Sequence, residues 1–301
     1  MSIKRYIASE DNTLTNAYKE NLVTRATASN IGAADVMEIF SIYGQVTSSH
    51  PTKSTELSRA IIRFPIGRIS TDRTAGNLPK SGSVNFVLRL YHAETDQTTP
   101  KNAVYKIQAL AQSWEEGYGT DLHLYEDTST STTGSNWIYA SFNPATKWNN
   151  QGGSVLSSSA SPAPEYSTKL ENGDEDIEVD ITSMVEEWVA GNIANYGLML
   201  KLTSSQEGSA SADYPEYSNP TGSTISYYTK RIFARTSQYF YKRPVIEARW
   251  DDSKQDDRGN FQYSSSLASA EDNLNTIYLY NYVRGRLKNI PVVEDGEIFV
   301  S

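Results

Sequence analysis

The sequence lacks cysteine altogether and has only three histidines among its 301 residues. The absence of cysteine excludes disulfide bridges, thiolate nucleophiles and cysteine-ligated metals, and it is compatible with assembly in a reducing cytosol. His50, His92 and His123 lie far apart in the sequence, on predicted loops or strand ends. We therefore interpret them as exposed polar residues rather than as parts of a catalytic triad or a metal site.

Long apolar runs and an excess of basic charge are also missing. No apolar stretch reaches 18 residues, and residues 1–12 hold no run of signal-peptide length, so we expect neither a membrane span nor Sec export. The formal net charge is -9, which disfavours binding to nucleic acid and to anionic membrane surfaces unless a local basic strip overrides it.

The strip Tyr227–Arg243 (YYTKRIFARTSQYFYKR) is the candidate for such an exception, because Lys and Arg alternate there with Tyr and Phe. A strip of this kind can stack on sugars or bases. It can equally be a strand pair whose basic side chains cover apolar surface and pair with the excess carboxylates of the chain. We favour the second interpretation.

High-information catalytic motifs are absent, since the sequence contains no phosphate-binding loop, no His-Glu-x-x-His and no Gly-x-Ser-x-Gly. Glu115 and Glu116 beside Trp114 suggest a glycosidase pair, but adjacent strand residues point to opposite faces, so a second carboxylate would have to come from Asp121 or Glu126. We predict a protein that is not an enzyme.

No cofactor is predicted either. The acidic run Glu171–Asp176 (ENGDED) carries the ligand types that calcium prefers, but it lacks the spacing of an EF-hand loop. We favour a solvated turn at this run; structural calcium is permitted by the ligand types and has no positive support.

What the sequence does contain favours an all-β fold: 20 Tyr, 8 Phe, 5 Trp and 18 Gly among many Ser and Thr residues. Alternating or continuous apolar patterns predict strands over residues 59–66, 84–91, 103–109, 196–202 and 245–250. Polar stretches at 77–83, 128–136, 150–164 and 204–223 predict surface loops between them.

One short amphipathic helix is predicted over Ile181–Ala190, closing one end of a sandwich. Asp180 is placed to cap it and Gly191 to end it in a left-handed conformation. The residues that fall on its apolar face are Ile181, Met184, Val185 and Trp188.

The chain divides into a β-sandwich over residues 1–251, an acidic, Ser-rich linker over 252–274, and a strand-rich C-terminal extension over 275–301. The extension is too short for a core of its own, so we predict an assembly segment or the start of a second domain. Leu279, Tyr280 and Val283 are the predicted contact residues, because their apolar surface needs a cover. The strand-like run at 299–301 leads us to expect that the natural chain continues.

The order of features from Asp11 to Trp250 resembles that of a divergent DNRLRE domain, a jelly-roll β-sandwich related to carbohydrate-binding modules. The matching residues, in family order, are Asp11, Thr13 and Leu14; Asn30 and Gly32; Arg59, Arg63 and Phe64; Trp114, Glu116, Gly117 and Gly119; Trp137; Trp148, Asn150, Gly152 and Gly153; Val179–Thr182, Glu187, Trp188 and Gly191; Asn195–Leu198; and Arg243, Pro244, Val245, Glu247 and Arg249. The resemblance implies an antiparallel jelly-roll sandwich with one short helix. It supplies no ligand residues.

The segments SNIGAADVMEIFSIYGQ and RPVIEARWDDSKQDDRGNFQYSSSLASAEDNLNTIYLYNYVRG also resemble virion structural proteins of marine and cyanobacterial tailed phages. This resemblance implies a non-enzymatic capsid, neck or tail component that assembles in the host cytoplasm, contacts itself and other virion proteins, and resides in the virion.

A carbohydrate-binding module that contacts host surface polysaccharide is the alternative, and a polysaccharide-cleaving enzyme ranks third. The candidate sugar-contacting residues are Trp137, Tyr139 and Tyr118. A buried structural role for Trp137 is an equally open interpretation.

Overall fold

The computed structural model describes residues 2–21, 23–42, 56–121, 134–142, 144–156, 164–207, 225–252, 263, 265–275, 279–284 and 286–288. The chain forms two compact units, Ser2–Trp250 and a C-terminal unit from Asp251 onward.

Residues 2–250 form an antiparallel jelly-roll β-sandwich, which confirms the predicted fold class. Its main strands are β1 (Ser2–Ile7), β2 (Glu10–Thr15), β3 (Val36–Ile42), β4 (Glu56–Arg63), β5 (Asn85–Leu90), β6 (Ala103–Ala109), β7 (Tyr139–Phe142), β8 (Ala145–Lys147), β9 (Glu165–Leu170), β10 (Ile177–Asp180), β11 (Leu198–Leu202), β12 (Tyr227–Phe233) and β13 (Val245–Trp250). One sheet has the order β1-β13-β5-β10. The larger has the order β12-β3-β4-β11-β6-β9, with β2 also paired to β4, and β7 and β8 form a separate ribbon.

The main core lies between the two sheets. Phe86 and Leu88 of β5 and Tyr105 and Ile107 of β6 are fully buried in it, at 0% exposure. These residues alternate along their strands, as the period of a strand requires when one face meets the core. The predicted strand 103–109 coincides with β6, and 245–250 coincides with β13.

A second apolar cluster covers the opposite face of the larger sheet. Ile61 of β4 and Met199 of β11 point into it, together with residues of the segment that follows β6. The members of this Trp cluster are Leu14, Leu57, Ile61, Leu110, Trp114, Trp137, Ala140, Trp148 and Met199. Because the centre of the sheet is buried on both faces, consecutive residues are apolar and buried at Ala60–Ile62 of β4 and at Leu198–Leu200 of β11, without alternation.

The predicted helix is present as α2 (Thr182–Ala190), and all four predicted apolar-face residues are buried. The Asp180 carboxylate accepts a hydrogen bond from the Thr182 backbone N–H at 2.9 Å. Gly191 ends the helix with φ of 76°. The helix therefore begins one residue later than predicted, with Ile181 in the N-cap position and no side-chain cap bond there, whereas its apolar face and its end at Gly191 agree with the prediction.

Two further helices, α1 (Gly67–Thr74) and α3 (Ser204–Glu207), were not predicted. In α1 only Ile69 is buried, so the sequence carries no amphipathic period to reveal it. Contacts with other elements fix α1 in place: Arg73 forms an ion pair with Glu186 of α2, and Asp72 forms an ion pair with Lys4 of β1.

The described part of the C-terminal unit contains an antiparallel hairpin of β14 (Asn281–Val283) and β15 (Arg286–Lys288). This hairpin is the strand-rich extension that the sequence predicts.

Candidate functional site

Three loop segments meet at one end of the sandwich, residues 29–35, 114–121 and 234–243, which we call the loop cluster. The Ala33 backbone N–H donates to the Gly119 carbonyl at 2.8 Å, and the Thr236 hydroxyl donates to the Ala34 carbonyl. The Arg235 guanidinium donates to both carboxylate oxygens of Glu116, at 2.9 and 2.7 Å. These bonds join all three segments to one another.

Asn30 is the centre of the polar network beneath the loop cluster. Its side-chain amide donates to the carbonyls of Glu116 and Ser135, at 2.8 and 2.7 Å. Its side-chain oxygen accepts from the backbone N–H groups of Gly32 and Gly119, at 3.2 and 2.8 Å. A fully satisfied buried amide of this kind fixes the loops that it bridges.

Glycine is required at position 119 by close approach to Asn30. A Cβ at Gly119 would lie 2.1 Å from the Asn30 carbonyl oxygen, where no side chain fits. The Trp-x-Glu-Gly-x-Gly spacing seen in the sequence is therefore explained by backbone contact within the loop cluster.

Asp11 completes this network from β2. Its carboxylate accepts a 2.5 Å hydrogen bond from the Arg235 backbone N–H, and its own backbone N–H donates to Glu116. The Asp11 side chain is buried, and burial raises its pKa to about 7, with the nearby Glu116 charge adding to the rise. The sequence pattern alone did not reveal this network, because its members come from four distant segments.

Exposed aromatic side chains lie on the surface of the same loop cluster. Tyr118 is 85% exposed, and Tyr239, Phe240 and Tyr241 are 54%, 53% and 76% exposed. The last three are consecutive and precede β13, with Phe240 and Tyr241 inside the 3-10 turn Phe240–Lys242 and Tyr239 directly before it; we call Tyr239–Tyr241 the aromatic turn. Among the described residues of the sandwich, this turn is the longest consecutive run of exposed aromatic side chains.

Two cations accompany the aromatic turn. The Arg243 guanidinium carbon lies 5.4 Å from the Phe240 ring centre, and Lys242 Nζ lies 5.1 Å from the Phe233 ring centre. The rings do not lie in one plane, since Phe240 and Tyr241 meet at 86°. The turn therefore offers ring edges, ring faces and positive charge rather than a flat stacking platform.

The three predicted sugar-contacting residues do not share one exposed face. Trp137 is 4% exposed within the Trp cluster, with the Arg59 guanidinium carbon 5.2 Å from its ring centre. Of the two roles open for Trp137, the structure therefore gives the buried one, and the hypothesis of an exposed sugar-stacking ring is wrong for this residue. Tyr139 is half-buried on β7, and Tyr118 alone of the three is largely exposed.

The Glu115–Glu116 pair is engaged in structural bonds. Glu116 pairs with Arg235, and the Glu115 carboxylate accepts from the Phe142 backbone N–H at 3.1 Å. Of the two proposed partners, Asp121 accepts from the Ser29 hydroxyl at 3.0 Å, and Glu126 lies outside the described residues. No pair of free, facing carboxylates is formed by the described members of this set.

The basic strip 227–243 mostly pairs with internal acceptors, in agreement with the favoured interpretation. Arg231 forms an ion pair with the buried Glu38 at 2.5 Å, and Arg235 binds Glu116. Lys230 is fully buried. Only the end of the strip lies beside exposed aromatic rings, with Lys242 near Tyr239 and Arg243 near Phe240.

The acidic run 171–176 is occupied by protein groups. The Glu175 carboxylate accepts from the backbone N–H groups of Glu171, Asn172 and Gly173, at 2.9, 2.8 and 2.7 Å. These bonds fold the run back on itself and lower the pKa of Glu175, against the opposing effect of burial. Within the part of the chain that the structure describes, no group of three His, Asp or Glu side chains could hold a metal ion.

The predicted assembly residues of the C-terminal unit carry exposed apolar surface. Leu279, Tyr280 and Val283 are 47%, 40% and 49% exposed. The Tyr280 and Tyr282 rings stack with their centres 6.5 Å apart. Ile277 and Ile290 of the predicted extension lie outside the described residues. A contact role for this hairpin stays a prediction.

No family model matches the chain, and no curated protein is significantly similar to it. In the described residues, no helix has the length and apolar character needed to cross a bilayer.

Proposed function

We propose that this chain is a non-enzymatic structural component of a tailed-phage particle, part of the capsid, neck or tail surface. It would assemble in the host cytoplasm through contacts with copies of itself and with other virion proteins. The observation that carries the proposal is the exposed apolar surface of the C-terminal hairpin, where Leu279, Tyr280 and Val283 are each 40% or more exposed. Apolar surface of this kind on a short segment is typical of a contact region.

The ion pairs within the sandwich also support this proposal. Carboxylates of the sandwich form internal ion pairs: the half-buried Glu116 with Arg235, the buried Glu38 with Arg231, and the buried Glu207 with Arg59 at 2.7 Å. Groups held in this way stabilise one loop arrangement and are not available as free catalytic acids or bases. The chemistry is that of a rigid building block with an appended contact segment.

Cryo-EM of purified particles of the phage that encodes the chain, together with mass spectrometry of their proteins, tests the proposal. We expect the chain among the particle proteins at a stoichiometric copy number, with density for the sandwich repeated by the symmetry of the particle. We also expect the 279–288 hairpin to lie against a neighbouring subunit. Absence of the chain from the purified particles would contradict the proposal.

A second candidate function, binding of host surface polysaccharide, is favoured by the aromatic turn. Exposed rings at Tyr239, Phe240 and Tyr241 beside Lys242 and Arg243 provide ring–sugar contacts and positive charge for acidic sugars. Tyr118 on the same loop cluster adds a further exposed ring.

Titration with host polysaccharide by calorimetry or a glycan array tests this second function. We expect Tyr241→Ala and Tyr118→Ala to weaken saturable binding at least tenfold, at unchanged melting temperature. Ile3→Ala is the control, because Ile3 is 50% exposed on β1 and lies outside the loop cluster. Binding that neither Tyr variant weakens would exclude the loop cluster as the sugar site, and absence of binding would exclude the function.

A further inference from the structure

Lys230 is a lysine without solvent contact in the middle of β12. Its exposure is 0%, and its ammonium nitrogen has three partners. The Gly173 carbonyl lies at 3.0 Å, the Glu175 carbonyl at 2.5 Å and Nδ1 of His92 at 3.1 Å. An ammonium group has three protons to donate, so these three acceptors satisfy it when the imidazole is neutral with its proton on Nε2.

The contact links an edge strand of the larger sheet to the loop that connects β9 of that sheet to β10 of the smaller sheet. β12 and β9 are the two edge strands in the order of that sheet, and Gly173 and Glu175 belong to the loop that follows β9. His92 follows β5 of the smaller sheet and forms a bridge with Ile232 of β12. Lys230 therefore joins edge strand β12 to the loop between β9 and β10 and to the end of β5.

The charges around this contact come from every element that meets there. Asp174, Glu175 and Asp176 of the 171–176 loop act on Lys230, and the Asp176 carboxylate accepts from the His92 backbone N–H at 2.8 Å. Tyr105 of β6 faces Glu175, and Arg231, the next residue of β12, directs its guanidinium to Glu38 instead. His92 is thus the neighbour whose charge changes between pH 5 and pH 8.

We propose that Lys230 and His92 form an acid-sensitive latch that holds the 171–176 loop against edge strand β12. Protonation of His92 at Nδ1 removes the third acceptor of the ammonium and places two cations 3.1 Å apart. The latch is closed while the imidazole is neutral and loosens on acidification.

The direction of the pH effect agrees with the electrostatics. Burial, and then the Lys230 charge, lower the pKa of His92 below its ordinary value, while Asp174, a hydrogen bond with the Arg231 backbone and Asp176 oppose the shift. A histidine with a lowered folded pKa binds its proton first in the unfolded state, so stability is lost as the pH falls below the unfolded pKa of about 6.5. Burial also lowers the pKa of Lys230 to about 8, so the ammonium is charged throughout that acid range.

NMR titration of the imidazole resonances, assigned with His92→Gln, tests the latch on the full chain. In the wild-type protein we expect the His92 midpoint to lie below about 6.5, and in Lys230→Met we expect it to move upward toward that value. Lys169→Met is the control, because Lys169 is exposed on β9 just before the loop and its loss leaves the latch intact. Equal His92 midpoints in the wild type and in Lys230→Met would overturn the proposal.

Thermal melting gives a second readout that does not need Lys230→Met to fold. Between about pH 7.5 and about pH 5.5 the wild type should lose about 2–4 °C more in melting temperature than His92→Gln, which keeps an acceptor oxygen but does not titrate. Asp11 is present in both proteins, so its own titration cancels in the difference. Identical pH dependence of the two proteins would refute the latch.

Discussion

The two units of the chain differ in how much of their large apolar side chains they expose. In the sandwich, Trp114, Trp137, Trp148 and Trp188 are all 5% exposed or less. In the described part of the C-terminal unit, the large apolar side chains with extensive exposure are Tyr263, Leu267, Leu274, Leu279, Tyr280, Tyr282 and Val283. The sandwich is a self-sufficient fold, whereas the C-terminal unit exposes surface that a stable small domain would bury.

The difference indicates where the proposed assembly contacts would lie. The larger sheet of the sandwich is covered on both faces, by the main core and by the Trp cluster, so its central strands have no free apolar face to offer a partner. Among the described residues, the hairpin and the turns at the loop cluster are two places that expose groups of apolar or aromatic side chains.

The strongest test of the self-sufficient core is Trp188→Ala. Trp188 is 5% exposed on the buried face of α2, so the variant leaves a cavity at the closed end of the sandwich. We expect a loss of about 3–5 kcal/mol in the free energy of unfolding, measured by urea denaturation. An unshifted transition midpoint would show that α2 does not close the core.

Trp137→Ala and Tyr118→Ala separate a buried aromatic from an exposed one within the same set of predicted residues. Trp137 packs in the Trp cluster, so its loss should cost about 3–5 kcal/mol. Tyr118 is 85% exposed, and its loss should change stability by less than about 0.5 kcal/mol. Similar melting temperatures for the two variants would remove the distinction between the Trp cluster and the loop surface.

The strands and α2 could be predicted from the sequence because their signals are local. Alternation in β6 and the spacing from Ile181 to Trp188 reflect the faces that meet the core. α1 has a single buried residue, Ile69, and is held by ion pairs with distant segments. A helix of this kind has no local sequence pattern from which it could be predicted.

The candidate site was less predictable, for a related reason. Asp11, Asn30, Glu116 and Arg235 come from four segments, and only the fold brings them together. The residues of the resemblance that lie here bond to one another or approach backbone closely, as Gly119 does with Asn30. They specify the architecture, so they carry no information about a ligand.

A smaller change in the free energy of unfolding is expected when the pH is varied, because Asp11 beneath the loop cluster titrates. The pKa of Asp11 is raised to about 7 by burial, so the folded state holds a proton that the unfolded state has released above its ordinary pKa of about 3.8. The stability contributed by protonated Asp11 is therefore present at low pH and is lost as the pH rises through about 7.

Asp11→Asn, which stays neutral, measures this contribution. From about pH 5 to about pH 8 the wild type should lose stability relative to the variant in urea denaturation. Parallel stability curves for the two proteins would show that Asp11 is ionised throughout. Glu20→Gln, on an exposed segment of the sandwich, is the control.

The contrast between the two units is tested most directly by sedimentation velocity of the full chain and of a chain that lacks residues 258–301. We expect the full chain to form oligomers in a concentration-dependent manner, and the shortened chain to remain a monomer with the same melting temperature as the sandwich in the full chain. Leu279→Ser with Val283→Ser should reproduce the loss of assembly, and Ile3→Ser should not. Equal assembly of the full and shortened chains, or a strictly monomeric full chain at all concentrations, would contradict self-assembly through the C-terminal unit.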